Sequence, residues 1–114
     1  MVEMKKLDED FFVGGQLSVE DIRALAKEGF RGIINNRPDG EEPGQPDSAT
    51  LEAAAREAGV HYIYLPMNSR EVDAGTRAEF QEALADREGP WFAFCRSGAR
   101  STCLWEAAQP GASQ

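Results

Sequence analysis

Histidine is almost missing from this 114-residue chain, with His61 the only one. A single imidazole cannot build a multi-ligand metal centre, so no metal or cofactor is expected, and His61 reads as a surface or strand-end residue. Cysteine is equally scarce. Cys95 and Cys103 are the only two, which excludes a disulfide framework. Basic residues are outnumbered: 12 Lys and Arg stand against 20 Asp and Glu, a net charge of −8. That balance argues against nucleic acid as a partner, since phosphate-backbone affinity comes from clustered Lys and Arg. No apolar run approaches the roughly 20 residues of a membrane helix, so no membrane partner is expected. The charged stretch Met1 to Asp10 has no apolar signal-peptide core. These absences point to a cytoplasmic setting.

The length suits one domain, and 41% hydrophobic residues supply a modest core. Apolar segments of two kinds alternate along it. Phe11-Phe12-Val13 is a short run stopped by Gly14-Gly15. Val19, Ile22, Leu25 and Ala26 form a helical stripe, with Ser18 and Asp21 as a short-armed capping box and Gly29 as the stop. Gly32 to Asn35 reads as a buried strand and is followed by an acidic Pro/Gly-rich loop, Arg37 to Pro46. Leu51, Ala54, Ala55 and Ala58 predict a second helix, Tyr62 to Leu65 a strand, and Phe80, Ala83 and Leu84 a third helix. Trp91 to Phe94 is a last strand, Cys95 to Arg100 a turn, and a final helix runs through Leu104 and Trp105 to about Gln109. Strand–helix alternation with short links predicts an α/β fold, a largely parallel sheet of about four strands flanked by helices. The domain is expected over 11–109, after a charged segment 1–10 and before a flexible tail 110–114.

In open α/β sheets ligands bind beyond the carboxyl ends of the strands. Cys95-Arg96-Ser97-Gly98-Ala99-Arg100-Ser101 occupies such an end, between a strand and a helix. Successive backbone N–H groups of Arg96, Ser97, Gly98, Ala99 and Ser101 can turn inward there, and the helix start adds partial positive charge. Arg100 can fork onto an oxyanion. The same field lowers the Cys95 pKa and favours its nucleophilic thiolate. A thiolate ringed by anion-binding amides can attack a small anionic substrate and hold a covalent intermediate. Cys103, inside the helix, reads instead as a packing residue.

Three motifs carry a family resemblance across roughly residues 11–106: Val13-Gly14-Gly15-Gln16-Leu17-Ser18, Gly32-Ile33-Ile34-Asn35-Asn36-Arg37-Pro38-Asp39, and Phe94-Cys95-Arg96-Ser97-Gly98-Ala99-Arg100-Ser101. In this order they resemble the phosphatase-like domain of the beta-lactamase-hydrolase-like proteins, a branch of the protein tyrosine phosphatase superfamily. The resemblance implies a compact tyrosine/dual-specificity phosphatase-like fold, with Cys95 as nucleophile and Arg100 as anion clamp. Tyrosine phosphatases, however, place five residues between cysteine and arginine. Here there are four, as in the Cys-Arg-x-Gly-x-Arg loops of rhodanese-like sulfurtransferases, and Phe94 stands where phosphatases usually have histidine.

Two enzyme readings follow, with a third beside them. Phosphoester hydrolysis through a covalent Cys95 intermediate stands slightly ahead. Sulfur transfer through a Cys95 persulfide comes next, and a non-catalytic thiol sensor or anion-binding module last. A phosphatase needs a general acid. The resemblance puts it in the loop Asn68 to Asp73, where Asp73 is the first candidate and Glu71 the second. Asp73 could equally cap the third helix. Arg37, at the same rim as Cys95 in a parallel sheet, either helps hold the anion or pairs with the acidic run Asp39 to Glu42. Related phosphatases carry more helix after the one that follows the loop, so a homodimer contact or a fused partner domain is expected to cover that face.

Overall fold

The computed structural model describes residues 2–85 and 87–111. Most of the expected tail, residues 112–114, lies outside the described residues. Nine elements follow in order: β1 (Lys5–Asp8), β2 (Phe11–Gly14), α1 (Val19–Lys27), β3 (Gly32–Asn35), α2 (Ser48–Glu57), β4 (His61–Tyr64), α3 (Ala74–Ala85), β5 (Trp91–Phe94) and α4 (Ala99–Ala107). The sheet order is β1-β2-β5-β3-β4. β1 pairs antiparallel with β2, and every other pairing is parallel. This is the expected α/β architecture with one strand more. β1 lies in the charged N-terminal segment, where Lys5, Lys6 and Asp8 hide the strand pattern. It is an edge strand, and such charges are what keep an exposed edge from pairing with another chain.

The parallel register brings Gly14, Phe94, Asn35 and Tyr64 to one rim. β5 lies at the centre and is buried along its whole length. Its side chains alternate between two cores. Phe92 and Phe94 pack with Leu17, Ile22, Leu25, Ile33 and Leu51 on the α1/α2 side. Trp91 and Ala93 pack with Phe11, Ile34, Phe80 and Leu104 on the α3/α4 side. A strand covered on both faces has no polar side, which is why its sequence is an unbroken apolar run. Gly32 is required beside it: a Cβ there would collide with the Trp91 ring. Trp105 on α4 packs on the sheet as expected, stacked on Phe11 with ring centroids 4.5 Å apart.

The helix ends follow local chemistry. Ser18 and Asp21 form the capping box at α1: the Asp21 N–H donates to Ser18 Oγ at 3.1 Å, and the Ser18 N–H donates to Asp21 Oδ2 at 2.9 Å. Asp47 caps α2 by accepting the Thr50 N–H at 2.9 Å. α4 starts earlier than the sequence implies. Gly98 adopts φ +97° as its N-cap, so Ala99, Arg100 and Ser101 stand in the first helical turn and not in the preceding loop.

Candidate active site

β5 runs through the core and delivers Cys95 to the rim, where the residue is 1% exposed. The chain then turns sharply. The Gly98 N–H donates to Cys95 Sγ at 3.0 Å, and the Gly98 carbonyl accepts from the Thr102 N–H at 2.9 Å, opening α4. Burial is the largest influence on the Cys95 thiol and pushes its pKa up. Backbone hydrogen bonds from Ser101, Ser97, Arg100 and Gly98 together outweigh it, and the thiol lies below its ordinary range. The Gly98 N–H is hydrogen-bonded to the sulfur, and the neighbouring loop amides favour its charge, as at an anion-binding turn at a helix start.

The loop rests on a shelf of two glycines. A Cβ on Gly15 would lie 3.0 Å from the Arg96 carbonyl oxygen, and one on Gly14 would lie 2.7 Å from both the Glu3 carbonyl oxygen and the Phe92 ring. A Cβ on Gly98 would in turn press on the Gly14 carbonyl at 3.3 Å. Gly14-Gly15 thus lets the backbone of β2 approach the cysteine loop closely, beyond ending a strand. Arg96 and Ser97 are exposed, and Ser97 Oγ accepts the Ala99 N–H at 3.3 Å.

Arg100 is half-buried beside the thiol. Its Nη1 donates to Glu41 Oε2 at 2.7 Å and to the Met67 carbonyl at 2.8 Å, and its Nη2 donates to Glu41 Oε1 at 2.9 Å. Its pKa is raised first by the Glu41 hydrogen bonds, against burial, and further by Glu41 charge and by the Cys95 sulfur. Glu41 responds in kind. The Arg100 hydrogen bonds, ahead of an opposing burial effect and with Arg37 adding to them, lower its pKa to about 2.

Arg37 is buried, and the structure brings it into ion pairs. Its Nε donates to Glu41 Oε1 at 2.9 Å, Nη2 to Glu42 Oε1 at 2.6 Å and Nη1 to Gln16 Oε1 at 2.9 Å. Burial acts to lower its pKa and the Glu42 and Glu41 hydrogen bonds overcome that, leaving it raised. A buried guanidinium is tolerable only when paired in this way. Of the two readings of Arg37, the pairing with the acidic run is the one seen.

Asp73 lies just before α3, and its Oδ1 accepts the Thr76 N–H at 2.7 Å. The Thr76 bonds, backbone first, hold its carboxyl below the usual range. Asp73 and Glu71 line a groove with Met67 and Ser69 that contains no residue of the cysteine loop. The helix-cap alternative describes Asp73 as found. Cys103 departs from expectation too. It is partly exposed on α4 and lines a surface groove with Lys5, Arg70 and the loop residues Ser97 and Gly98.

Two residues make contacts at the site that the sequence left unassigned, the second of them to Arg100. Asn36 is fully buried: it accepts from Ser101 Oγ at 2.8 Å through Oδ1 and donates to the Leu65 carbonyl at 2.8 Å through Nδ2. It ties β3, β4 and α4 together at the rim. Glu41 is the other. A polar triplet closing a buried strand, Asn35-Asn36-Arg37, and an acid four residues after a buried arginine were the available signals. Among the described residues no cluster of three His, Cys, Asp or Glu could hold a metal ion, and no helix is long and apolar enough to cross a membrane.

A largely parallel sheet with a cysteine–arginine loop between its central strand and a helix is the fold of the tyrosine/dual-specificity phosphatases. The chain belongs to the family of the beta-lactamase hydrolase-like protein, phosphatase-like domain, whose model matches residues 3–112. It is 38% identical over 100 residues to the beta-lactamase hydrolase-like protein of Agrobacterium fabrum, covering 88% of this chain and 23% of that protein. The chain spans under a quarter of the length of the curated relatives it matches. A crystal structure of a candidate phosphatase from Neisseria meningitidis is similar with a TM-score of 0.79 and 35% identity, over 89% of this chain and 72% of that one. A kinase-associated phosphatase, carrying serine in place of its catalytic cysteine, shares the fold alone: TM-score 0.71 at 15% identity, over 90% of this chain and 66% of that one.

Proposed function

We propose that this domain is a cysteine-dependent hydrolase of small anionic phosphoesters. The observation that carries the reading is the Gly98 N–H on the Cys95 sulfur at the start of α4, in a turn whose other amides and Arg100 favour the thiolate. In the first step the Cys95 thiolate attacks phosphorus, a sulfur–phosphorus bond forms, and the bond to the leaving oxygen breaks with its electron pair. The loop N–H groups and Arg100 stabilise the charge on the phosphoryl oxygens as it moves. In the second step water attacks phosphorus, inorganic phosphate leaves, and the thiolate is regenerated. Asp73, capping α3 as an anion, is poorly prepared to protonate the leaving oxygen. The chemistry then favours leaving groups that depart without a proton, such as acidic phenols. Across a series of aryl phosphates, turnover is expected to fall steeply as the phenol becomes less acidic. A flat dependence would mean that a general acid acts after all.

A second reading has its own observation, the four-residue spacing between Cys95 and Arg100. A tight cradle suits one added sulfur better than a tetrahedral phosphoryl group. Here the thiolate attacks the outer sulfur of thiosulfate, sulfite leaves with the electron pair of the broken sulfur–sulfur bond, and the Cys95 persulfide passes its sulfur to cyanide. One preparation assayed for aryl-phosphate hydrolysis and for thiosulfate-to-cyanide transfer separates the readings. Cys95-dependent phosphate release without a cyanide-removable sulfur adduct supports the first, and the reverse supports the second.

A further inference from the structure

Three charged regions flank the cysteine loop, and they differ in sign. Glu41 and Glu42 stand on one flank, both paired with arginine. Glu71 and Asp73 line a groove of the loop after β4. The third region is a groove of about 540 Å³, lined by Gly14 and Gly15 together with Ser97, Gly98 and Ala99 of the cysteine loop. Cations are in excess there. Lys5 and Arg70 line it against a single carboxylate, Glu3. Both are exposed, and among the described residues neither makes an ion pair. An unpaired cation keeps its full attraction for an incoming anion, whereas one already matched by a carboxylate does not.

The placement of Arg70 is specific. Ser69 and Glu71, its neighbours in the chain, line the groove that holds no residue of the cysteine loop. Arg70 is the one residue of 66–73 that lines the other groove. β1 shows the same division: Lys6 is paired with Glu9 at 3.4 Å, while Lys5 lines the groove unpaired. Met4 and Val13 add apolar surface to it. In the phosphoester reading, loop amides and Arg100 take the phosphoryl group, so the rest of the ester must leave across the loop. Ser97, Gly98 and Ala99 belong to both the loop and the groove. A leaving group that crosses them meets the two cations, and a guanidinium can fork onto a carboxylate or phosphate there.

We propose that Arg70, aided by Lys5, is a specificity-determining residue that selects phosphoesters whose leaving group carries a second anionic group, a carboxylate or a further phosphate. This rests on the phosphoester reading of the Cys95 loop and names a substrate class for it. The test uses the full chain and two kinds of ester, the meta and para isomers of carboxyphenyl phosphate and their uncharged carbamoyl analogues. The readout is the ratio of kcat/KM for the charged ester to that for its uncharged analogue. Comparing that ratio between variants cancels the difference in phenol acidity, and reading both esters on one preparation cancels the fraction of folded enzyme. For at least one isomer, Arg70→Gln is expected to lower the ratio by roughly fivefold, the worth of one exposed charge pair, chiefly by raising KM for the charged ester. Lys5→Gln is expected to lower it by about twofold. Arg70→Lys, which keeps the charge, is expected to recover most of the loss. Lys27→Gln removes the same charge at the C-terminal end of α1 and is expected to leave the ratio unchanged. The wild-type ratio should shrink between about 0.1 and 1 M salt, as screening shortens from about 10 to 3 Å. An equal ratio in wild type and Arg70→Gln for both isomers would overturn the proposal, as would equal losses in Arg70→Gln and Lys27→Gln or a ratio indifferent to salt. If wild type hydrolyses none of the esters in a Cys95-dependent way, the phosphoester reading fails and this proposal falls with it. If all are hydrolysed and Arg70→Gln leaves the ratio unmoved, the groove assignment alone is refuted.

Discussion

Two loops leave the same rim of the sheet, and they are built in opposite ways. The turn after β5 aims its groups at one centre. The Gly98 N–H meets the Cys95 sulfur, three further backbone groups lower its pKa, and Gly14 and Gly15 at the end of β2 form the shelf below. The loop after β4 disperses its groups. Asp73 faces back onto α3, Glu71 faces the same groove, and only the Met67 carbonyl reaches Arg100. The comparison teaches that backbone groups, rather than the carboxylates of the β4 loop, are turned toward the Cys95 sulfur. An amide fixed by a helix start keeps its direction at no further entropic cost, whereas an exposed carboxylate turns to the nearest unsatisfied N–H.

The largest effects are expected in the first loop. Cys95→Ser should abolish turnover in either assay. Arg100→Lys keeps the charge but loses the fork, and a rate loss of about 100-fold or more is expected in steady-state kinetics. A loss under about threefold would mean that charge alone suffices there. Next comes thiol reactivity. Cys95 is expected to be alkylated ahead of Cys103 at pH values below 7, where an ordinary thiol is almost silent. Anionic iodoacetate should outpace neutral iodoacetamide at Cys95 and lose that advantage when phosphate is present. Peptide mass mapping of both cysteines reads the order, and equal labelling would break the contrast between them.

Smaller effects belong to the surrounding carboxylates. The Glu41 pKa is lowered to about 2 from 4.5. A depressed pKa adds stability that is complete above the unfolded value and fades as pH falls through the folded one. Wild type should therefore lose about 1–2 kcal/mol between pH 4.5 and 2 that Glu41→Gln does not lose, a figure reduced for solvent access. Urea unfolding at several acidic pH values measures the difference. Smallest of all is Asp73. Asp73→Asn should change aryl-phosphate turnover by less than about threefold, while Asp73→Ala lowers stability slightly through the lost cap. A turnover loss near 100-fold would restore Asp73 as the general acid and erase the contrast between the two loops.

What was legible in the sequence follows the same division. β3 and β5 stand where their unbroken apolar runs place them, since burial on both faces leaves no other pattern. The capping box at α1 lies within one short stretch, Ser18 to Asp21, and needs no tertiary context. The cysteine loop was readable because its parts are adjacent in the chain. β1 was not, since an exposed edge strand of lysines and acids differs little from a solvated tail. Nor was the pairing of Glu41 with Arg100, 59 residues apart: charge along the chain shows which acids exist and not which arginine they meet. Asn36 stayed hidden for the same reason, because its partners Leu65 and Ser101 come from two later elements.

The central claim is that Cys95, activated by the amides of its loop, forms a bond to phosphorus. Rapid acid quenching of the enzyme during turnover of an aryl phosphate, followed by intact-mass and peptide analysis, tests it most directly. The account predicts a phosphoryl adduct confined to Cys95, absent from Cys95→Ser and hydrolysed on standing with release of phosphate. Phosphate release with no adduct on Cys95, or a thiosulfate-derived sulfur on Cys95 with no phosphate release at all, would contradict it.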